Sequence, residues 1–139
     1  MAQHEEEVDQ LKYLYNAYTQ EYQAVVNEMN NYLQVSASFD RNMEALEKVK
    51  SMENTHMLVG LEAGTFIEVS TKEIKNVITN VGAGYLVEKS VKDASEFVGK
   101  NSERVQMNIN QLLSQKQRLE KEILDLSYKI NEMEGPHTH

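Results

Sequence analysis

Residues 57–90 read MLVGLEAGTFIEVSTKEIKNVITNVGAGYLVEKS, and this stretch decides the fold because it interrupts a helical repeat that runs on both sides of it. Four of the chain's six glycines fall here (Gly60, Gly64, Gly82, Gly84), among a high density of Val, Ile and Thr. The apolar runs 57–61 and 65–69 are separated by Glu62-Ala63-Gly64, and the runs 76–81 and 85–88 by Gly82-Ala83-Gly84. Short Val/Ile/Thr/aromatic runs joined by three-residue turns containing Gly predict two β-hairpins. Between them, Ser70-Thr71-Lys72-Glu73 has the S-x-x-E spacing of a capping box, which predicts one helical turn or a tight crossover.

Before this hub lies an arm. From Val8, alternating steps of three and four reach Leu11, Tyr15, Tyr18, Tyr22, Val25, Met29, Tyr32, Ser36, Phe39, Met43 and Leu46, so that eleven of twelve positions are apolar or aromatic. Six unbroken heptads without Pro or Gly predict a coiled-coil helix over residues 5–53. About 49 residues make a helix about 70 Å long, which cannot persist on propensity alone and must lay its stripe on a partner. Four tyrosines on the stripe give a seam whose hydroxyls lean towards water.

After the hub, Val91, Val98, Val105, Leu112, Leu119, Leu126 and Met133 recur every seven residues, with Ser95, Ser102, Ile109, Lys116, Ile123 and Ile130 as companions. A second helix is predicted over residues 91–134, opened by Ser90 as N-cap with Asp93 in its first turn and stopped by Gly135-Pro136. Gly99 weakens its first turns slightly. Two heptad arms joined by a short insert fold back as an antiparallel pair. Pairing residues whose numbers sum to 141 sets Val8 on Met133, Leu11 on Ile130, Tyr15 on Leu126, Tyr22 on Leu119, Val25 on Lys116, Leu46 on Ser95 and Lys50 on Val91. No layer then sets polar against polar, although a one-heptad slip satisfies the pattern almost as well.

Bulk properties narrow the function. The 139 residues carry a net charge of −8 with basic residues scattered among acids, which disfavours a nucleic-acid partner. No cysteine means no disulfide framework and no thiolate chemistry. The first ten residues, MAQHEEEVDQ, lack the apolar core of a signal peptide, and no apolar run nears the roughly 20 residues of a membrane span. The expectation is one soluble unit over residues 1–139, cytoplasmic, with no membrane contact.

The hub predicts assembly. Val59, Leu61, Ile67 and Val69 fall on one face of the first hairpin, with Leu58 and Phe66 on the other. In the second, Val77, Val81, Tyr85 and Val87 oppose Ile78 and Leu86. Thirty-four residues cannot bury two apolar faces and open strand edges by themselves, so the strands are expected to join those of other subunits in a closed barrel. The oligomerisation set is therefore Val59, Leu61, Phe66, Ile67, Val69, Val77, Ile78, Val81, Tyr85 and Val87. The fold class is α+β: a long antiparallel two-helix coiled coil with two β-hairpins inserted between the helices.

Helix, two hairpins, helix, with both termini at a distal tip, resembles the alpha subunit of the prefoldin family. The local match is strongest at Asn80-Val81-Gly82-Ala83-Gly84-Tyr85-Leu86-Val87-Glu88-Lys89-Ser90, which resembles that family's second hairpin and the entry to its second helix. Gly60-Leu61-Glu62-Ala63-Gly64-Thr65-Phe66 resembles the first hairpin, with Gly60 where a proline is expected and Glu62 where a smaller residue is. The resemblance covers essentially the whole chain. It implies a hexamer of two alpha and four beta subunits, whose strands form a double barrel from which six coiled coils hang. It also implies an ATP-independent chaperone that holds unfolded polypeptides at the distal tips and passes them to a group II chaperonin. A structural coiled-coil scaffold or filament-forming relative is the alternative.

At the tip, Val8, Leu11, Tyr13 and Leu14 on one helix and Leu126, Tyr128, Ile130 and Met133 on the other are the expected client-binding residues. Tyr13, Leu14 and Tyr128 lie beside the stripe, where one partner helix covers them poorly. Residues 1–14 and 118–136 are each net acidic, which favours basic clients. No enzyme chemistry, cofactor or metal is expected. Gly82-Ala83-Gly84 lacks the third glycine and the Lys-Ser/Thr of a phosphate loop. His137 and His139, with His4 expected nearby at the tip, have ligand-like spacing, but a frayed C-terminal tail is expected there and no native metal site. His56 reads as structural, and no nucleophile–base pair stands out.

Overall fold

A computed structural model describes residues 2–134. In chain order it contains α1 (Ala2–Val49), a 3-10 turn (Lys50–Met52), β1 (His56–Glu62), β2 (Thr65–Ser70), β3 (Asn76–Gly82), β4 (Tyr85–Ser90) and α2 (Val91–Glu134). The side chain of Lys50, expected to face Val91, lies outside the described residues, as do Gly135-Pro136, His137 and His139. The backbone divides into two compact units, one of residues 1–35 and 105–139 and the other of residues 36–104.

In the first unit the two helices pack antiparallel along their heptad stripes. Val25, Leu112 and Leu119 form the buried centre, and Tyr18, Tyr22, Met29 and Tyr32 pack around it half-buried. The predicted register fits this unit: Val8 and Met133 line one cleft, and the Tyr22 hydroxyl donates to Glu120 Oε1 at 3.1 Å. Lys116, the one charged residue on the α2 stripe, is half-buried and keeps its ammonium 3.7 Å from Glu120. Its aliphatic stem can then cover apolar surface while its head stays wet.

In the second unit Leu46, Ala94 and Val98 are buried, with Phe39, Met43, Val77 and Phe97 packed on them. The sequence had placed Ser95 opposite Leu46. Ser95 does line the surface beside Leu46, but Ala94 carries the burial, at 1 % exposed. The N-cap at Ser90 forms as expected, its Oγ accepting from the Asp93 backbone N–H at 3.0 Å.

The first helix departs from expectation at its end. The α-helix stops at Val49 rather than near residue 53, tightens into the 3-10 turn, and then Asn54 takes a left-handed φ of 52° that turns the chain into β1. Residues 71–75 form no helical turn, so the crossover alternative holds. The capping-box hydroxyls are engaged elsewhere. Ser70 Oγ lies 3.0 Å from His56 Nδ1, and Thr71 Oγ1 donates to the carbonyls of Met52 and Thr55. The Thr71 and Thr55 backbones add reciprocal bonds, Thr71 N to Thr55 O at 2.9 Å and Thr55 N to Thr71 Oγ1 at 3.1 Å.

Each hairpin is its own two-stranded antiparallel sheet. In the first, Met57 pairs with Val69 and Val59 with Ile67; in the second, Val77 pairs with Lys89 and Thr79 with Val87. Each carries a bulge just before its turn, between Gly60 and Glu62 and between Asn80 and Gly82. Bulges add local twist and bend the strand.

Candidate functional site

Two apolar surfaces stand out, one in each unit. In the unit of residues 1–35 and 105–139, the end that brings His4 to Met133 combines buried and open side chains. Val8 and Leu126 are buried, and Leu11, Ile130 and Met133 are half-buried in the seam. Tyr13, Leu14 and Tyr128 stand outside it at 74 %, 41 % and 63 % exposed. The expected client set thus divides into five seam residues and three open ones. Helix geometry explains the division: between the stripe residues Leu11 and Tyr15, Tyr13 falls on the outer side of the helix and Leu14 at the edge of the stripe, in line with their 74 % and 41 % exposure.

Open grooves flank the seam. One is lined by Asp9, Gln10, Tyr13 and Leu14, and another by Tyr15, Thr19, Tyr22, Glu120, Ile123, Leu124 and Ser127. Leu124, 55 % exposed, was not among the expected site residues. Its signal in the sequence was position alone, one turn before Tyr128 on the same side of α2.

Polar contacts pin this end. His4 Nε2 lies 3.2 Å from the Met133 carbonyl, and Lys12 Nζ lies 2.7 Å from Glu134 Oε1. The hydrogen bond to Glu134, and then its charge, raise the Lys12 ammonium above the ordinary lysine value. Both partners are half in solvent, so the pair orients the helices more than it stabilises them.

The second surface is the hairpin pair. Phe66, Leu61, Ile67 and Val59 are exposed on the first, and Ile78, Tyr85, Val87 and Val81 on the second. Val69 and Val77 are half-buried, and Val77 packs on the Leu46–Ala94–Val98 cluster of its own chain. Leu58 and Leu86 add exposed apolar surface at 69 % and 67 %. Apolar side chains thus stand open on both faces of two separate sheets, far from what an isolated soluble hairpin tolerates. His56, at the base of the first, sits 3.5 Å from Glu68 Oε1 as well as beside Ser70, a strand-end contact. Among the described residues no group of three His, Cys, Asp or Glu is placed to hold a metal, and no helix is long and apolar enough to cross a membrane.

A sequence profile described as "Prefoldin subunit" matches residues 15–134. The chain is similar to the prefoldin subunit alpha of Pyrococcus horikoshii, 28 % identical over 136 residues that cover 96 % of this chain and 92 % of the relative. It is 31 % identical over 101 residues to prefoldin subunit alpha 1 of Thermococcus kodakarensis, covering 72 % and 69 %. Among solved structures, a chain of filamentous PFD from Methanocaldococcus jannaschii, seen by cryo-EM, superposes with a TM-score of 0.54 at 20 % identity, covering 86 % of this chain and 93 % of that one. That last likeness speaks to the fold alone.

Proposed function

The chain belongs to the prefoldin family, in its alpha class, and from that premise we propose that it is an ATP-independent holding subunit that grips unfolded polypeptides at the distal ends of its helices. The observation that carries this reading is the split at the His4–Met133 end. A buried seam of Val8 and Leu126 keeps the helices paired while Tyr13, Leu14 and Tyr128 remain open beside it. Terminal turns of long helices also open locally at small free-energy cost, adding Leu11, Ile130 and Met133 to the contact surface. Each contact is weak and tolerant of sequence, and several arms on one client supply avidity.

The hairpins do the assembling. Their exposed residues, Val59, Leu61, Phe66, Ile67, Ile78, Val81, Tyr85 and Val87, together with Val69 and Val77, join the strands of prefoldin beta subunits in a hexamer of two alpha and four beta chains. The assembly works in the cytoplasm and passes its clients to a group II chaperonin. The alternative is a homomeric filament; the solved chain that shares this fold comes from a filamentous PFD.

Two experiments test this. Removing residues 1–14 and 126–139 abolishes suppression of client aggregation while the oligomer keeps its size; a trimmed oligomer that protects clients as well as the intact one overturns the tip reading. Sizing the chain with and without a candidate beta subunit separates a closed hetero-oligomer from filaments of one chain.

A further inference from the structure

The two hairpins are a repeat offset by twenty residues. Every strand pair in the first recurs in the second with twenty added to each number, from His56–Ser70 and Asn76–Ser90 to Glu62–Thr65 and Gly82–Tyr85. Even the turn backbones coincide. Residues 62, 63 and 64 have φ of 131°, 49° and 76°, and residues 82, 83 and 84 have φ of 120°, 51° and 81°. The same loop is therefore built twice with different side chains, and each hairpin serves as the other's control.

Three differences run the same way. First, the position with the most extreme positive φ is Gly82 in one turn and Glu62 in the other. Glycine adopts that conformation freely, whereas a residue with a Cβ is strained in it. Secondly, the Asn80 side chain accepts from the Gly82 backbone N–H at 2.9 Å, closing the second turn locally, while the matching residue in the first turn is Gly60, which has no side chain to do so. Thirdly, the second hairpin is fastened to the helices of its own chain. Val77 packs on Leu46, Ala94 and Val98, and the Lys89 ammonium sits 5.1 Å from the centroid of Phe97, itself packed on that cluster. Among the described residues no half-buried apolar side chain of the first hairpin packs on that cluster. The Thr55 and Thr71 bonds tie only its base.

We infer that the second hairpin is ordered by its own chain, and that the first is an incompletely self-supported surface ordered by a neighbouring prefoldin subunit. The partner presents a strand edge to this hairpin and an apolar face to Val59 and Ile67, which pair across its strands. Assembly then proceeds in a fixed order, with the second hairpin as the preformed template and the first completed last. This inference rests on the hairpin-mediated assembly proposed above.

Amide hydrogen exchange tests it on the full chain, diluted until sedimentation shows a single-chain species, and then mixed with a candidate beta subunit. In the single chain, amides of residues 57–69 exchange on the order of tenfold faster than their counterparts in residues 77–89. Glu62→Gly slows the first set by a similar factor, and Gly82→Glu speeds the second. In the complex the first hairpin gains more protection than the second. Equal exchange of the two hairpins in the single chain, fast or slow, overturns the inference, as does a Glu62→Gly chain whose first hairpin exchanges unchanged. A complex in which residues 57–69 stay fast overturns the inference alone. A mixture that forms no complex overturns the assembly reading beneath it.

Discussion

Leu119→Ala is the sharpest perturbation of the paired helices. Leu119 is fully buried, at 0 % exposed, where Val25 and Leu112 meet it and Tyr18, Tyr22, Met29 and Tyr32 close around them. Truncating a buried leucine costs about 2–5 kcal/mol, the spread reflecting how far the surroundings collapse into the cavity. Here the surroundings are half-buried and include three tyrosines beside solvent, so they can lean inward. A cost of about 2–3 kcal/mol follows, equivalent to a rise of roughly thirty- to 150-fold in local opening. Hydrogen exchange of residues 112–126 in the assembled protein reads it directly. Tyr13→Ala is the control: at 74 % exposed, its removal changes stability by no more than about 0.5 kcal/mol. If Leu119→Ala raises exchange less than about fivefold, or if Tyr13→Ala matches it, the layer around Leu119 does not hold the helices together as described.

Ile67→Asp and Val81→Asp each place a charge on an exposed sheet face, and both should yield a helical but dissociated chain by sedimentation and circular dichroism, since a buried unpaired charge is costly; an intact oligomer carrying both changes refutes the sheet-face interface. Cysteines replacing Leu11 and Ile130 should crosslink within one chain, because a disulfide needs Cα atoms within about 7 Å, and crosslinking confined to pairs shifted by seven residues refutes the register. Glu134 raises the Lys12 pKa, so the contribution of this pair is fully present below the ordinary lysine value and is lost as pH rises through the raised one. Exchange of the amides next to Lys12, corrected for intrinsic rate, should therefore loosen at alkaline pH in the parent but not in Lys12→Gln, and an identical pH profile for both removes any role for the pair.

The helical arms were legible because their stripe is redundant. Each residue from Val8 to Leu46 on the three-four pattern is buried or half-buried, and a single intruder such as Ser36 does not disturb it. The hairpins were legible from turn chemistry, since Gly64 and Gly84 mark where φ must be positive. Bulges were not, because alternation survives in the flanking residues and the extra residue only becomes visible as a shift in pairing at Glu62 and Gly82. The capping box misled for a related reason. Ser70 and Thr71 hold hydroxyls that serve whichever backbone lies nearest, and the chain returning past Thr55 reached them first. Ala94 escaped notice because a small residue contributes little to an apolar pattern, yet close approach of two helices selects it. Of the expected client residues, Tyr13, Leu14 and Tyr128 stood out by lying beside the stripe, whereas nothing in the local pattern distinguished Leu124.

The placement of aromatic residues makes the protein its own optical probe. It has no tryptophan, and six of its seven tyrosines (Tyr13, Tyr15, Tyr18, Tyr22, Tyr32 and Tyr128) belong to the unit of residues 1–35 and 105–139. Near-ultraviolet emission therefore comes almost entirely from the paired arms. Within that set, Tyr22 donates its hydroxyl to the Glu120 carboxylate, an arrangement that drains the excited state by proton transfer. Parting the helices breaks this bond and brightens Tyr22, so an arm that opens announces itself without a label. Tyr85, the tyrosine of β4, belongs to a different channel: with it substituted, the remaining emission reports on the paired arms alone.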